Sequence, residues 1–287
     1  MLHQISRDGY SAAISSLGAE LKSFKNDTGE EYMWSGNPEI WKGTAPVLFP
    51  IVGELREGLY SHKGKFYRMT RHGFARTSMF THESLGDGES SFVLRSSPDT
   101  ELVYPFQFEL EVRFRIERAR LRVSYRVTNR GDEIMPFMLG SHPAFALPVD
   151  RCALESYYLE FEKAETLDLY HLADGLLCRE PEKTYLKNEK TIRITDTLFD
   201  NDALIFENIE SREIYIYRDG TGRRLTLDTG GAPYLGIWAK PGAPYVCLEP
   251  WHGHADEAGA DFDIINKNHF TTLRPAEEFT TGYEIRM

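Results

Sequence analysis

Apolar residues recur along this chain mostly at every second position, in short runs broken by Gly, Asp and Asn. That is the period of half-buried strands, not of helices. In the clearest stretch Leu110, Val112, Phe114 and Ile116 alternate with Glu111, Arg113 and Arg115. A turn near Arg118-Ala119 leads to a return strand carrying Leu121, Val123, Tyr125 and Val127, closed by Asn129 to Asp132. A second hairpin runs through Ile214 to Tyr217, turns at Asp219-Gly220-Thr221-Gly222 and returns through Leu225-Thr226-Leu227, its glycines supplying the positive φ such turns demand.

Helical signal is sparse. Pro38-Glu39-Ile40-Trp41 fits a single turn and 256–266 a short helix, but neither carries a sustained apolar stripe. With strands continuing from the N-terminus to Gly282-Tyr283-Glu284-Ile285-Arg286, and with no repeat or linker between, the pattern predicts an all-β protein. The expected architecture is one large antiparallel β-sandwich over residues 1–287 with few short helices.

Composition agrees with a well-filled core, since 41% of the 287 residues are hydrophobic. A net charge of −11 opposes nucleic acid and anionic membrane as main partners. No run of 18 apolar residues and no signal-like N-terminus occur, so a soluble, cytoplasmic protein is expected. Cys152, Cys178 and Cys247 form no CxxC pair and, being odd in number, fit a reduced compartment, each as a small buried hydrophobe.

Four segments depart from alternation and gather unusual chemistry. In Ala45 to Arg56 two prolines, Pro46 and Pro50, mark an edge or irregular segment that ends at Arg56, a residue equally compatible with a solvated ion pair. In Arg71-His72-Gly73-Phe74-Ala75-Arg76 the Gly permits close backbone approach to a ligand while two Arg and a His offer donors suited to phosphate or sugar hydroxyls; a basic solvated turn is the competing reading. In Gly140 to Pro148, Pro143 keeps His142 out of helix, and that His is either a hydrogen-bonded core residue or a catalyst.

The fourth segment is Tyr245-Val246-Cys247-Leu248-Glu249-Pro250-Trp251-His252-Gly253. Strand alternation puts Val246 and Leu248 on one face and Tyr245, Cys247 and Glu249 on the other. A carboxylate thereby ends an apolar strand beside Pro250 and Trp251, where desolvation raises its pKa and hydrogen bonds and nearby Arg lower it again; an exposed strand-end Glu is the competing reading.

Taken in order, the Arg-His-Gly-Phe-Ala-Arg run at 71–76, the Ser-His-Pro-Ala-Phe run at 141–145 and the Leu-Glu-Pro-Trp run at 248–251 resemble the aldose 1-epimerase (galactose mutarotase-like) superfamily. The likeness is greatest to its lactose-operon-associated and hexose-6-phosphate epimerase-like branch and covers almost the whole chain. It implies a super-β-sandwich with the sugar in an open cleft. By that resemblance Glu249 matches the general base and His142 the general acid; Arg56 and His72 match residues holding sugar oxygens; Asp202, with Asp200 nearby, matches the substrate-binding aspartate. Arg76 matches the branch in which arginines gather around a phosphate, whereas Gly53-Glu54-Leu55-Arg56 departs from the longer Asn-Arg loop of the galactose enzymes.

These groups suit the exchange of α and β anomers of an aldose or hexose phosphate. The base removes the C1 hydroxyl proton, the acid protonates the ring oxygen, and the opened aldehyde recloses on its other face. The reaction requires no redox cofactor and no metal. It requires an ionised Glu249 and a protonated His142 facing one pocket, expected about a pyranose ring apart, with Trp238, Tyr245 or Trp251 available to stack on the sugar. Two other readings compete: a non-catalytic carbohydrate-binding or regulatory module with the same cleft, and a metal site built from His252, His254 and Asp256.

Overall fold

The computed structural model describes residues 1–149 and 153–287, so Cys152 lies outside the described residues. The alternation holds where the sequence shows it. In the Arg120–Asn129 strand Leu121, Val123, Tyr125 and Val127 are buried, while Arg122 is exposed on the opposite face. This strand pairs with Phe108–Ile116 in continuous antiparallel register, from Leu121 opposite Ile116 to Asn129 opposite Phe108. The hairpin of Glu213–Arg218 with Gly222–Asp228 forms as expected, Gly220 and Gly222 both lying at positive φ.

Both hairpins belong to a nine-stranded sheet in the order Lys183–Arg193, Tyr157–Leu169, Glu213–Arg218, Gly222–Asp228, Glu278–Arg286, Arg120–Asn129, Phe108–Ile116, Glu89–Arg95, Thr81–Gly86. Every neighbouring pair is antiparallel. Packed with it is a six-stranded sheet in the order Leu204–Glu207, Tyr234–Trp238, Tyr245–His252, Leu139–Ser141, Val47–Leu48, with Ala144–Ala146 also pairing Tyr245–His252. The Ser141 hydroxyl donates across the two layers to Tyr125 Oη at 3.0 Å. Phe49, Phe108 and Phe137 meet in the same core.

Smaller elements follow their local chemistry. Val47–Leu48 is the edge strand of the second sheet, as the two flanking prolines require. The turn at Asn37 to Trp41 closes through a Trp41 N–H donated to Asn37 O. The helix expected in 256–266 shrinks to one 3-10 turn, Ile264–Asn266, because Asp263 caps it and no apolar stripe extends it. A four-residue helix at Pro98–Glu101, closed by a Ser97/Thr100 capping box, is too short for a periodic signal. Among the described residues no helix is long and apolar enough to cross a membrane.

Candidate active site

The middle strand of the six-stranded sheet builds the site. Tyr245–His252 is flanked on one side by Tyr234–Trp238 and on the other by two short strands in one unbroken register: Leu139 opposite His252 and Gly140 opposite Trp251, then Ala144 opposite Cys247 and Phe145 opposite Val246. Between them the ladder opens. Pro250 and Pro143 face each other's strands there, and neither has an N–H to contribute. The shared register sets His142 opposite Glu249 in that gap, with Nε2 of the imidazole 3.3 Å from Oε2 of the carboxylate.

The two side chains are neighbours, not groups facing each other across the width of a sugar ring. The sequence-based spacing is corrected accordingly.

The pair lines a cavity of about 330 Å³ together with Trp41, Arg71, His72, Arg76, Asp202, Trp238 and Trp251. A larger groove of about 590 Å³ lies over the nine-stranded sheet, but its Arg and Glu side chains largely pair with one another and it holds none of these groups. Trp41 stacks on His142 with ring centres 5.0 Å apart, and Trp238 meets the same imidazole edge-on. The Trp251 indole fits against Gly236 and Gly140, where any Cβ would collide with it. Tyr245 is wholly buried and packs against Trp34 and Trp41, so of the three aromatics expected to meet the sugar only Trp238 and Trp251 reach the cavity.

His72 is fixed as a donor. The Gly53 N–H donates to its Nδ1 at 3.0 Å, so the neutral ring carries its proton on Nε2. Burial, then the neighbouring His142, Arg71 and Arg76, push its pKa well down and keep it neutral. Its Nε2–H lies 3.4 Å from Nε–H of Arg71. Two donors do not bond to each other, so both are left to an oxygen acceptor placed between them. Arg71 and Arg76 show no carboxylate partner among the described residues; the Arg76 guanidinium donates only to Arg71 O, at 3.0 Å.

Glu249 is 1% exposed, and burial raises its pKa well above the ordinary carboxylate value against the opposing pull of Arg71 and the Trp251 indole; Asp202 adds to the rise. Burial likewise drives His142 down to about 3, with Arg71 and Arg76 acting in the same sense. Glu249 Oε2, His142 Nδ1 and Trp251 Nε1 are buried without a well-formed hydrogen bond.

Five of the six site residues expected from sequence, Glu249, His142, His72, Asp202 and Arg76, thus meet in one cavity. Asp202 lines it at a positive φ, while Asp200 is exposed and outside its lining. Arg56 does not line it. Its guanidinium lies over the Phe262 ring, donates to Ala260 O and approaches Glu57, because the backbone turns away from the cavity after Gly53. Arg71 is there instead, and its signal was present in the basic run around His72. The His252, His254 and Asp256 grouping disperses: His252 bonds to Thr281, His254 to Ala255 O, and both Asp256 oxygens are engaged by Lys267, His269 and the Arg56 N–H.

A family model described as aldose 1-epimerase matches residues 1–286. The chain belongs to the aldose 1-epimerase family. Among curated relatives, the chromosomal Protein LacX of Lactococcus lactis subsp. lactis is 30% identical over 297 residues, covering 99% of each chain. Among solved structures, a galactose mutarotase related enzyme from Lactobacillus acidophilus shares 36% identity at a TM-score of 0.94, over 100% of this chain and 97% of that one. A galactose mutarotase-like protein from Lactobacillus casei shares 28% at 0.89, over 100% and 99%. The all-β sandwich is therefore the galactose mutarotase-like fold, and membership of the aldose 1-epimerase family implies a sugar as the small molecule handled.

Proposed function

We propose that the protein is an active aldose 1-epimerase, residues 1–287 acting as one catalytic unit, with Glu249 and His142 as its acid–base pair. The observation that carries this is their contact at 3.3 Å on the wall of a cavity with unpartnered donors and acceptors. Together the two groups hold one proton. With burial favouring neutral forms the proton sits on Glu249; its movement to His142 gives carboxylate and imidazolium. Hydrogen bonds from a bound sugar, together with the Arg71 charge, favour the charged form.

In that form the Glu249 carboxylate takes the proton from the C1 hydroxyl while His142 gives one to the ring oxygen, and the C1–ring-oxygen bond breaks. Rotation about C1–C2 presents the other face of the aldehyde, and the same transfers in reverse close the ring. The donor pair of His72 and Arg71 holds a sugar oxygen, Asp202 accepts from a hydroxyl, and Trp41 and Trp238 shape the apolar walls. Arg71 and Arg76, both without a carboxylate partner among the described residues, favour a substrate that carries a phosphate. Polarimetry on freshly dissolved pure anomers, free and 6-phosphorylated, tests the proposal. Acceleration is expected, greater with the phosphorylated sugar; binding by calorimetry with no acceleration of any anomer exchange would leave a carbohydrate-binding module instead.

A further inference from the structure

The strand that carries Glu249 also sets a thiol beside the acid–base pair. Cys247 lies two residues earlier on the same face and is wholly buried, opposite Ala144 in the ladder. One ring nitrogen of His142, Sγ of Cys247 and one oxygen of Glu249 all lie within 4.8 Å of one another. Oε2 of Glu249 has no hydrogen-bond partner.

Nitrogen, sulfur and oxygen in one cluster are a donor set that Zn²⁺ and Co²⁺ accept and that Mg²⁺ and Ca²⁺, which prefer oxygen alone, do not. Bonds of about 2.0–2.3 Å hold tetrahedral zinc ligands roughly 3.5 Å apart, so the cluster closes on an ion with a shift of about an ångström. The His142 to Glu249 separation, 3.3 Å, is already suitable.

We infer that His142, Cys247 and Glu249 bind a thiophilic divalent cation, Zn²⁺ or its surrogate Co²⁺, and that the bound ion blocks the site by occupying acid and base at once. Coordination replaces the Cys247 thiol proton and the Glu249 carboxyl proton, both released to solvent, while His142 contributes a neutral lone pair.

The test uses the full chain with Cys152→Ala and Cys178→Ala, which leaves Cys247 as its single thiol. Addition of Co²⁺ should produce a thiolate-to-cobalt charge-transfer band, and Zn²⁺ should abolish it. Adding Cys247→Ala should remove the band and weaken Zn²⁺ binding in equilibrium dialysis by roughly ten-fold or more. Zn²⁺ should compete with sugar, and Cys247→Ala should need a correspondingly higher Zn²⁺ concentration for inhibition while keeping its rate in chelator. Absence of the band, or Zn²⁺ affinity unchanged by Cys247→Ala, overturns the inference. Because the band needs no turnover, it reads the ion site even where anomer exchange fails.

Discussion

His142 stands directly opposite Glu249 in an antiparallel register that is in phase on both sides of the gap, and their side chains touch at 3.3 Å. A strand pair fixes this contact, so it does not depend on a mobile loop. Replacing Glu249 by Gln or His142 by Asn keeps shape and removes one of the two groups proposed to transfer protons. Each variant should lose ~10²–10⁴ of the acceleration in polarimetry while its circular dichroism stays native. A wild-type rate in either defeats the assignment.

The proposed one-proton pair also predicts the pH response. Raised Glu249 and lowered His142 values spread the two titrations apart, so the singly protonated pair persists across neutral pH. Loss of its proton on the alkaline side removes the acid, and gain of a second below about pH 3 removes the base. The pH–rate profile should be a broad plateau; a bell centred between an ordinary carboxylate and an ordinary imidazole value would show that burial does not govern the pair.

Arg71 and Arg56 separate cavity from surface. Arg71→Ala should raise KM, more for a 6-phosphorylated sugar than for the free one, since a guanidinium bond to an anion is the stronger kind. Arg56→Ala should leave KM nearly unchanged, because its guanidinium is occupied by Phe262 and Ala260. Steady-state kinetics on both variants with both sugars decides; the reverse ranking would place Arg56 at the substrate.

Gly236 is the seat of the Trp251 ring. A Cβ there would lie 2.5 Å from the indole. Gly236→Ala should therefore cost about 1–3 kcal/mol of stability through overpacking and displace Trp251. Denaturant melts and tryptophan fluorescence report the two effects, and an unperturbed spectrum with native stability contradicts the packing.

Behind the cavity wall, Asp256 and Lys267 form a wholly buried ion pair at 2.6 Å. Burial alone would raise the Asp256 carboxyl, but the hydrogen bonds from His269 and Lys267 outweigh it and hold the pKa below its usual value. The associated stability is complete above the unfolded-state pKa and fades as pH falls through the lower folded value. Asp256→Ala should cost about 3–5 kcal/mol at neutral pH by stranding the Lys267 charge. It should also lose less further stability on acidification than the wild type does, as measured by urea melts at several pH values.

Local chemistry made much of this protein legible in its sequence. The alternation of Leu121, Val123, Tyr125 and Val127, the glycines at 220 and 222 and the prolines around Val47–Leu48 act over a few residues, and each produced the element expected of it. The runs at 71–76, 141–145 and 248–251 likewise named the segments that meet at the cavity, because the residue types that chemistry needs are visible one by one.

Tertiary structure decided what depends on distance. That His142 touches Glu249, that Arg71 and Trp41 line the cavity while Arg56 turns away, and that Tyr245 is core all follow from strand register and backbone direction between segments far apart in the chain. The protonation of the pair was equally out of reach of the sequence: an isolated Glu and His are charged more readily than these two, and it is exclusion of water by the folded walls that reverses their preferences.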